Sequence, residues 1–166
     1  MRSMKSCFLA ALGVGAALQA LPASGAGSNT LGLSTTVVGT CKVATPPGML
    51  DFGTIDPSGS GNVTASTSFA MKCTKSTVST AATDDGGLHF SGGVKRMRHS
   101  VTATAFLPYA VTYGGDVGFT GQGFGAGAAA QTVTVSGTVT SAQYQNALMT
   151  VAGQLYSDTV IITVNP

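Results

Sequence analysis

Alternation of apolar with polar residues is the feature of this sequence that most limits its fold. Successive side chains of a β-strand point to opposite faces, so a period of two predicts a strand with one buried face. Odd positions in residues 31–43 are mostly apolar, and even positions are mostly small or polar. The same period recurs in residues 69–73, 109–113 and 133–139. Helical periodicity is almost absent after the first 26 residues, so the pattern predicts an all-β protein.

Glycine and proline separate the alternating segments. Thr45-Pro46-Pro47-Gly48 ends the first strand, because neither proline can donate a ladder hydrogen bond. Pro108 is expected to interrupt the pattern before residue 109. Connections are predicted at residues 74–87, 95–99 and 114–130, and further short strands at residues 50–55, 88–90, 101–105, 147–151 and 156–164. Many short strands joined by such turns predict a β-sandwich.

The first 26 residues have the composition of a signal peptide. Arg2 and Lys5 give a positive start, and residues 7–18 form an apolar run too short to span a bilayer. Ser24-Gly25-Ala26 supplies the small residues that a signal peptidase needs. We therefore expect a signal-peptide helix at residues 1–26, cleaved after Ala26, and an exported protein. The alternative is a buried N-terminal helix.

Without that leader the chain is close to neutral. Six of its eight Lys and Arg residues remain, six Asp residues oppose them, and the sequence has no Glu. Nucleic-acid-binding proteins normally carry a basic excess, so this class of partner is not expected. No later segment approaches the roughly 20 apolar residues of a membrane span.

Cysteine usage agrees with export. Cys7 lies in the leader, which leaves Cys41 and Cys73 as one possible pair. In an oxidising compartment an even number of cysteines predicts a disulfide. This one would close a loop of about 33 residues and contribute about 3–4 kcal/mol in the chain-entropy model.

Patterns for catalysis and metal binding are not evident in the sequence. His89, predicted in a strand, and His99, predicted beside a turn, have no clustered ligands around them. Asp84-Asp85-Gly86-Gly87 lacks the spaced oxygen ligands of a calcium loop and is predicted as a turn. There is no Gly-x-Ser-x-Gly elbow and no pair of Glu residues. We expect neither an enzyme nor a bound metal or cofactor.

The two ends of the chain carry the functional argument. The last residue follows directly on the strand predicted at residues 156–164, and an alternating strand follows the cleavage site. One solution is an incomplete sandwich that receives a missing strand from another molecule through main-chain hydrogen bonds. The other is a complete sandwich in which this first strand pairs in its own sheet. The pattern alone favours neither.

The order of several short motifs resembles the spore coat protein U domain family, which includes archaic chaperone–usher pilins. An alternating strand runs into Cys41, and Leu50-Asp51-Phe52-Gly53 and Cys73-Thr74 follow. Arg96-Met97 then precedes residues 107–113, which read LPYAVTY. Residues 137–139, Gly-Thr-Val, lead to residues 156–164, which read YSDTVIITV. The likeness covers essentially the whole chain after the leader.

The resemblance implies an incomplete immunoglobulin-like antiparallel β-sandwich at residues 39–166 with one disulfide, and an N-terminal donor-strand extension at residues 27–38. The donor strand would run from about Asn29 to Val38. Its pocket-filling, partner-binding positions would be Leu31, Leu33, Thr35 and Val37. The implied partners are neighbouring pilin subunits, a periplasmic chaperone and an outer-membrane usher. A donor segment favours a shaft or adaptor subunit over a tip adhesin.

The leading hypothesis is therefore a structural subunit of an extracellular pilus or fimbria at the cell surface. It would assemble by chaperone–usher donor-strand complementation and contribute to adhesion or biofilm formation. Two alternatives stay open on the sequence. One is a self-contained secreted spore-coat or matrix protein whose first strand pairs internally. The other is a carbohydrate-binding β-sandwich.

Overall fold

The computed structural model describes residues 30–166, and most of their regular structure is β-strand. The signal peptide predicted at residues 1–26 and the start of the predicted donor segment lie outside the described residues. The strands are β1 Cys41–Thr45, β2 Val63–Cys73, β3 Thr83–Asp84, β4 Lys95–His99, β5 Phe106–Gly114, β6 Gln131–Val139, β7 Tyr156–Ser157 and β8 Ile162–Thr163. One helical turn, α1, spans Ser141–Tyr144.

Two antiparallel sheets organise these strands. Six of them form one sheet in the order β1-β2-β6-β5-β4-β7, and β3 pairs with β8 in the other. The β2–β6 ladder runs from the Val63–Val139 pair to the Met71–Gln131 pair. The prediction of an all-β, sandwich-like fold is confirmed.

Alternation along the strands determines which side chains are buried. In β2, Phe69, Met71 and Cys73 are buried, whereas Ser66 and Ser68 are exposed. The buried residues of β5, β6 and α1 complete two clusters. The first cluster is Phe69, Met71, Val133 and Val135, and the second is Leu107, Tyr109, Val139 and Tyr144. The period of two therefore correctly predicted β2 and β6 and their buried faces.

The predicted disulfide is present and joins β1 to β2. Cys41 and Cys73 are directly opposite each other in the ladder, with their Cα atoms 4.1 Å apart. Both side chains are buried. The bridge therefore fixes the first residue of β1 to the last residue of β2.

The chain leaves the six-stranded sheet after β1. The register shifts between Val43 and Thr45, and the two prolines that follow cannot continue a ladder. Residues 46–55 form no strand, so the short strand predicted at residues 50–55 is wrong. Phe52 and Ile55 instead pack against the second core cluster.

Between residues 83 and 105, several segments predicted as strands form turns, and segments predicted as connections form strands. Residues 88–90 and 101–105 form turns rather than the predicted strands, and β3 lies in the predicted loop at residues 74–87. The basic residues 95–99, predicted as a connection, form β4. Two of the three basic side chains have partners there, because Lys95 pairs with Asp84 and the Arg96 guanidinium lies 4.4 Å from the centre of the Phe106 ring, while Arg98 is exposed.

Pro108 lies inside β5 rather than before it. The His99 amide donates to the Ala105 carbonyl, and in an antiparallel ladder this register directs the Pro108 nitrogen away from β4. On its other side β5 pairs with β6 only from Ala110 onwards. A residue without an N–H therefore costs no ladder hydrogen bond at this position.

The C-terminal strand predicted at residues 156–164 is divided between the two sheets. β7 pairs with β4 at the edge of the larger sheet, and β8 pairs with β3. The strand suggested at residues 147–151 is not formed. The chain thus crosses from one sheet to the other between Ser157 and Ile162.

Candidate functional site

An open groove of about 850 Å³ lies against the inner face of the six-stranded sheet. Side chains of β4, β5 and β6 form its floor, and residues 47–57 and 154–162 border it. Leu50 and Phe52 lie over Gly137 of β6, whereas Asp158 bonds to Tyr109 of β5. The two bordering segments therefore flank the groove from neighbouring strands.

The floor of the groove is mostly apolar. β5 alternates, so that Leu107, Tyr109, Val111 and Tyr113 line the groove while Ala110 and Thr112 face away. Met97 of β4 and Val135 of β6 extend the same surface. An extended segment entering the groove would place every second side chain on this surface.

The first border rests on a glycine. A Cβ atom on Gly137 would lie 2.5 Å from Leu50 Cδ2 and 2.7 Å from Phe52 Cζ, which is too close for non-bonded carbon atoms, so the ends of these two side chains would have to shift. Glycine at this position lets residues 50–52 pack directly on the backbone of β6. The first border can therefore lie this close to β6 because Gly137 has no side chain.

Replacing Gly137 with alanine is expected to displace this border. Overpacking of this kind typically costs about 1–3 kcal/mol of folding free energy. The matched control is Gly114→Ala on β5, because a Cβ atom there meets nothing within 4 Å. Urea unfolding of both variants checks the prediction. Equal midpoints for the two variants would contradict it.

Two carboxylates tie the second border to the floor. The Tyr109 hydroxyl donates to Asp158 Oδ2 at 2.7 Å, and the Tyr113 hydroxyl donates to Asp84 Oδ2 at 2.7 Å. Asp158 lies in the bordering segment itself, and Asp84 lies in β3, which pairs with β8. Lys95 also donates to Asp84. The floor tyrosines thus position the C-terminal segment beside the groove.

These contacts fix the protonation states of Tyr109, Tyr113 and Asp84. Burial, together with the acceptor carboxylates, raises the pKa of the Tyr109 and Tyr113 hydroxyls above 10.0. Burial also raises the pKa of the Asp84 carboxyl, but hydrogen bonds from Lys95, Tyr113 and the Gly86 amide outweigh it and hold that pKa below 3.8. At neutral pH the tyrosines are neutral donors and Asp84 is a charged acceptor.

Stability is expected to fall as the pH rises above about 10. In the folded protein the pKa of Tyr109 and Tyr113 is raised, so above pH 10.0 the unfolded chain loses tyrosine protons that the folded chain retains. The unfolded state is then favoured. Urea unfolding at pH 8 and pH 11 measures the loss. In Tyr109→Phe the loss between these pH values should be smaller, and an equal loss would contradict this origin.

The second border has one backbone edge without hydrogen bonds. The carbonyls of Thr159, Ile161 and Asn165 accept hydrogen bonds from the amides of Leu88, Asp85 and Thr80. Backbone groups of alternate residues point to opposite edges of a strand, so those of Val160, Ile162 and Val164 point away from this neighbour. Within residues 30–166, neither Val160 nor Val164 has a backbone hydrogen-bond partner. Val160 and Ile162 both line the groove.

The backbone of the first border also lacks hydrogen-bond partners. Among the described residues, the backbone of residues 46–55 makes a single hydrogen bond, from the Gly53 amide to Asp51 Oδ1 at 2.8 Å. Its other amides and carbonyls have no protein partner in that part of the chain. An apolar floor between two unpaired edges is the geometry that an added β-strand requires.

The predicted donor residues are all exposed. The exposed fractions are 79% for Leu31, 87% for Leu33 and 77% for Val37, and Thr35 is exposed as well. Residues 30–40 form no strand, although their alternation is the clearest at that end of the chain. The chain divides into units at residues 1–35 and 36–166. The donor role of these side chains stays a prediction.

Sequence reasoning missed most of the groove. Tyr109, Val111 and Tyr113 were expected to share a strand face, but Asp158, Gly137 and the role of residues 47–57 were not foreseen. An inward-facing Asp in an apolar strand is one signal that could have identified Asp158, because buried carboxylates need donors. No local signal marks Gly137.

The strand setting predicted for His89 is wrong, whereas His99 lies beside a turn as predicted, at the end of β4. His89 lies in a turn, and His99 lies in β4 and is 2% exposed. His99 Nδ1 accepts hydrogen bonds from the amides of Val101 and Thr102, so this ring holds the turn at residues 101–105. No group of three His, Cys, Asp or Glu side chains suited to a metal occurs in residues 30–166.

The fold and the groove define a β-sandwich-like domain with an open, strand-sized apolar surface. The chain belongs to the Spore Coat Protein U domain family, whose model matches residues 28–163. This is a family of structural, pilin-type domains rather than of enzymes, and it is extracellular or surface-associated. No curated protein matches the chain significantly. None of the helices in residues 30–166 has the length and hydrophobicity to traverse a bilayer.

Proposed function

We propose that this chain is a structural subunit of an extracellular pilus and that its groove accepts the N-terminal segment of a neighbouring subunit. The observation that carries the proposal is the apolar groove between two backbone edges without partners. Unpaired edges beside an apolar surface favour addition of a strand. The occupant should therefore be an extended segment with apolar residues at every second position.

The segment at residues 31–37 has these properties. Leu31, Leu33 and Val37 lie on one face of the strand with Thr35, and the residues between them are small or polar. Burying three such side chains at about 1.5–3 kcal/mol each, with a smaller share from Thr35, gives about 5–10 kcal/mol before ladder hydrogen bonds. This is comparable to the whole stability of a typical domain.

Donation between copies produces a filament. Each subunit would give its N-terminal segment and receive one in its groove, and these are different surfaces of the molecule. A head-to-tail contact between different surfaces continues without closing when the rotation does not form a ring. The disulfide suits the oxidising compartment through which such subunits are exported.

A subunit with an empty groove would expose two backbone segments without hydrogen-bond partners and an apolar floor, which favours aggregation. The proposal therefore includes a periplasmic chaperone that supplies a temporary strand and an outer-membrane usher that releases it during assembly. Export through the periplasm to a pilus at the cell surface follows. Adhesion or biofilm formation would be a property of the assembled filament.

A synthetic peptide covering Asn29 to Val38 tests the groove directly. We expect it to bind the purified protein and to raise the urea midpoint of unfolding, because a ligand of the folded state alone stabilises that state. The control is a peptide in which Leu31, Leu33 and Val37 are replaced by serine. Deleting residues 31–38 from the chain should abolish filaments seen by electron microscopy.

Three outcomes would contradict the proposal. Filaments that form without residues 31–38 would exclude this segment as the donor. A deletion variant that folds stably alone and does not bind the peptide would indicate a complete sandwich, as in a self-contained coat or matrix protein. Binding of glycans in the groove, in place of the peptide, would indicate a carbohydrate-binding domain.

A further inference from the structure

We propose that the outer face of the six-stranded sheet binds an acidic polysaccharide, a polymer that carries carboxylates among many hydroxyl groups. The outer face is the side of the sheet that is turned away from the groove. This inference goes beyond the proposed function, because it concerns a surface that the proposed exchange of strands does not use.

Two lysines lie together at one end of the outer face. The side chains of Met71 and Cys73 are buried, so Lys72 between them points outwards. Lys42 of β1 is directly opposite Lys72 in the ladder and therefore shares its face. Like charges in this position repel each other and destabilise a sheet. An anion bound at this end would remove the repulsion.

Two arginines lie at the other end of the same face. Pro108 of β5 stands between Leu107 and Tyr109, which line the groove, so it points outwards. Arg96 of β4 is directly opposite Pro108, and Arg98, two residues further along β4, shares its face. The Arg98 side chain is exposed. Strand pairing therefore brings four positive charges to the outer face.

No acidic residue balances these charges on the sheet. The strands β1, β2, β4, β5, β6 and β7 contain no Asp, and the sequence has no Glu. Within residues 30–166, the one ion pair joins Lys95 to Asp84 on the groove side. The other Asp residues accept hydrogen bonds from backbone amides in turns and connections. In that part of the chain, the four outward-facing basic side chains have no carboxylate partner.

Rows of hydroxyl groups lie between the two basic ends. Successive outward positions of β2 are directly opposite those of β6, and most of them are Ser or Thr. The side-chain hydroxyls of six exposed members form no hydrogen bond with residues 30–166. These members are Thr64, Ser66, Ser68, Thr132, Thr134 and Ser136. A hydroxyl both donates and accepts hydrogen bonds, so the rows suit a ligand that is rich in hydroxyl groups.

The separation of the basic ends requires a polymer. Gln131 of β6 is opposite Met71 and so lies beside the Lys72 end, whereas Thr138 is opposite Ala110 and lies towards the arginine end. The seven residue steps between Gln131 and Thr138 span about 23 Å at about 3.3 Å per step. A small anion cannot bridge this length, but an extended chain with repeated carboxylates can.

The chemistry of the face favours a polysaccharide over a nucleic acid. Proteins bind single-stranded nucleic acids by stacking bases on aromatic side chains. In the six strands of this sheet, Phe106 is the one aromatic residue that points outwards, and the Arg96 guanidinium lies 4.4 Å from its ring centre. The family is extracellular or surface-associated, so the polyanions that it meets are those outside the cell.

Binding to immobilised polygalacturonate, measured by biolayer interferometry, tests the surface. We expect the wild-type protein to bind this polymer more tightly than uncharged dextran, and to bind it more weakly as the salt concentration rises. The variant Lys42→Gln/Lys72→Gln should bind about 25-fold more weakly, because each basic side chain near an anionic surface contributes about a factor of five. Adding Arg98→Gln should weaken binding by about a further factor of five.

The matched control is Asn146→Asp/Ala152→Asp, which lowers the net charge by the same amount as the lysine pair. Both residues are exposed, and they lie in the connection whose residues 147–150 line the groove, on the inner side of the sheet. This control should bind polygalacturonate nearly as well as the wild-type protein. A peptide covering Asn29 to Val38 should not displace the polymer, because the peptide is expected in the groove.

Several results would overturn the inference. Equal losses in the lysine variant and the control would show that net charge, rather than the outer face, governs binding. Equal binding of polygalacturonate and dextran, or binding of neither, would exclude an acidic polysaccharide as the ligand. Tighter binding of duplex DNA would identify a nucleic-acid surface instead, and displacement by the peptide would place the polymer in the groove. Polymerisation is tested separately, by the deletion of residues 31–38.

Discussion

Replacing Leu33 with aspartate is expected to abolish filament formation and to weaken donor-peptide binding by at least about a thousandfold. Losing the burial of one leucine removes about 1.5–3 kcal/mol, and placing a carboxylate on an apolar floor costs several kcal/mol more. A total above about 4 kcal/mol corresponds to a factor of about 1,000 in affinity. Fluorescence anisotropy with the variant peptide measures the change.

The neighbouring residue supplies the control for this prediction. Ser34 points to the opposite face of an extended strand, so Ser34→Asp places the same charge away from the floor. Peptide binding should then change only slightly. Leu33 is 87% exposed in the described structure, so its replacement should leave the fold of the domain unaffected. Similar losses with both peptides would show that the segment does not bind as an alternating strand.

Removing the disulfide is expected to lower the free energy of unfolding by about 3–4 kcal/mol. Cys41 and Cys73 are separated by 32 positions in the sequence, so the bridge removes the entropy of closing this loop from the unfolded chain. Typical domains are stable by about 5–15 kcal/mol, so the double variant Cys41→Ala/Cys73→Ala should be marginal. Urea unfolding under oxidising conditions measures the difference.

Reduction provides the matched comparison. Wild-type protein unfolded in the presence of dithiothreitol should approach the midpoint of the double variant, while the double variant itself should not respond to the reductant. An oxidised wild-type midpoint equal to that of the double variant would show that the bridge does not stabilise the domain.

Much of the fold could be predicted from alternation and composition. β2 and β6 carry regular patterns, and residues 69–73 of β2 and most of β6 were identified with the correct faces buried. Their apolar residues recur every second position without interruption from Phe69 to Cys73 and from Val133 to Val135. The disulfide was predicted from cysteine count and compartment, and the order of short motifs indicated the family that the comparison then showed.

Errors were concentrated where the strands are short and the contacts are distant in sequence. β4 contains three basic residues and was therefore assigned to a connection. It is a strand because Lys95 pairs with Asp84 and Arg96 lies over the Phe106 ring, and both partners are distant in sequence. Pro108 is accepted in β5 because β6 pairs with β5 only from Ala110 onwards. These outcomes depend on which strands are adjacent, and local propensity contains no information about that.

By itself, the sequence determined the fold class, the buried faces of the long strands, the disulfide pair and the family, because each depends on local periodicity or on a small number of residues. The groove is a product of tertiary structure. Residues 46–55 and 158–164 are about a hundred positions apart, and only folding places them on either side of one apolar floor. A backbone amide forms a hydrogen bond only if an acceptor lies beside it in space. Whether these two segments are paired is therefore decided by the tertiary structure.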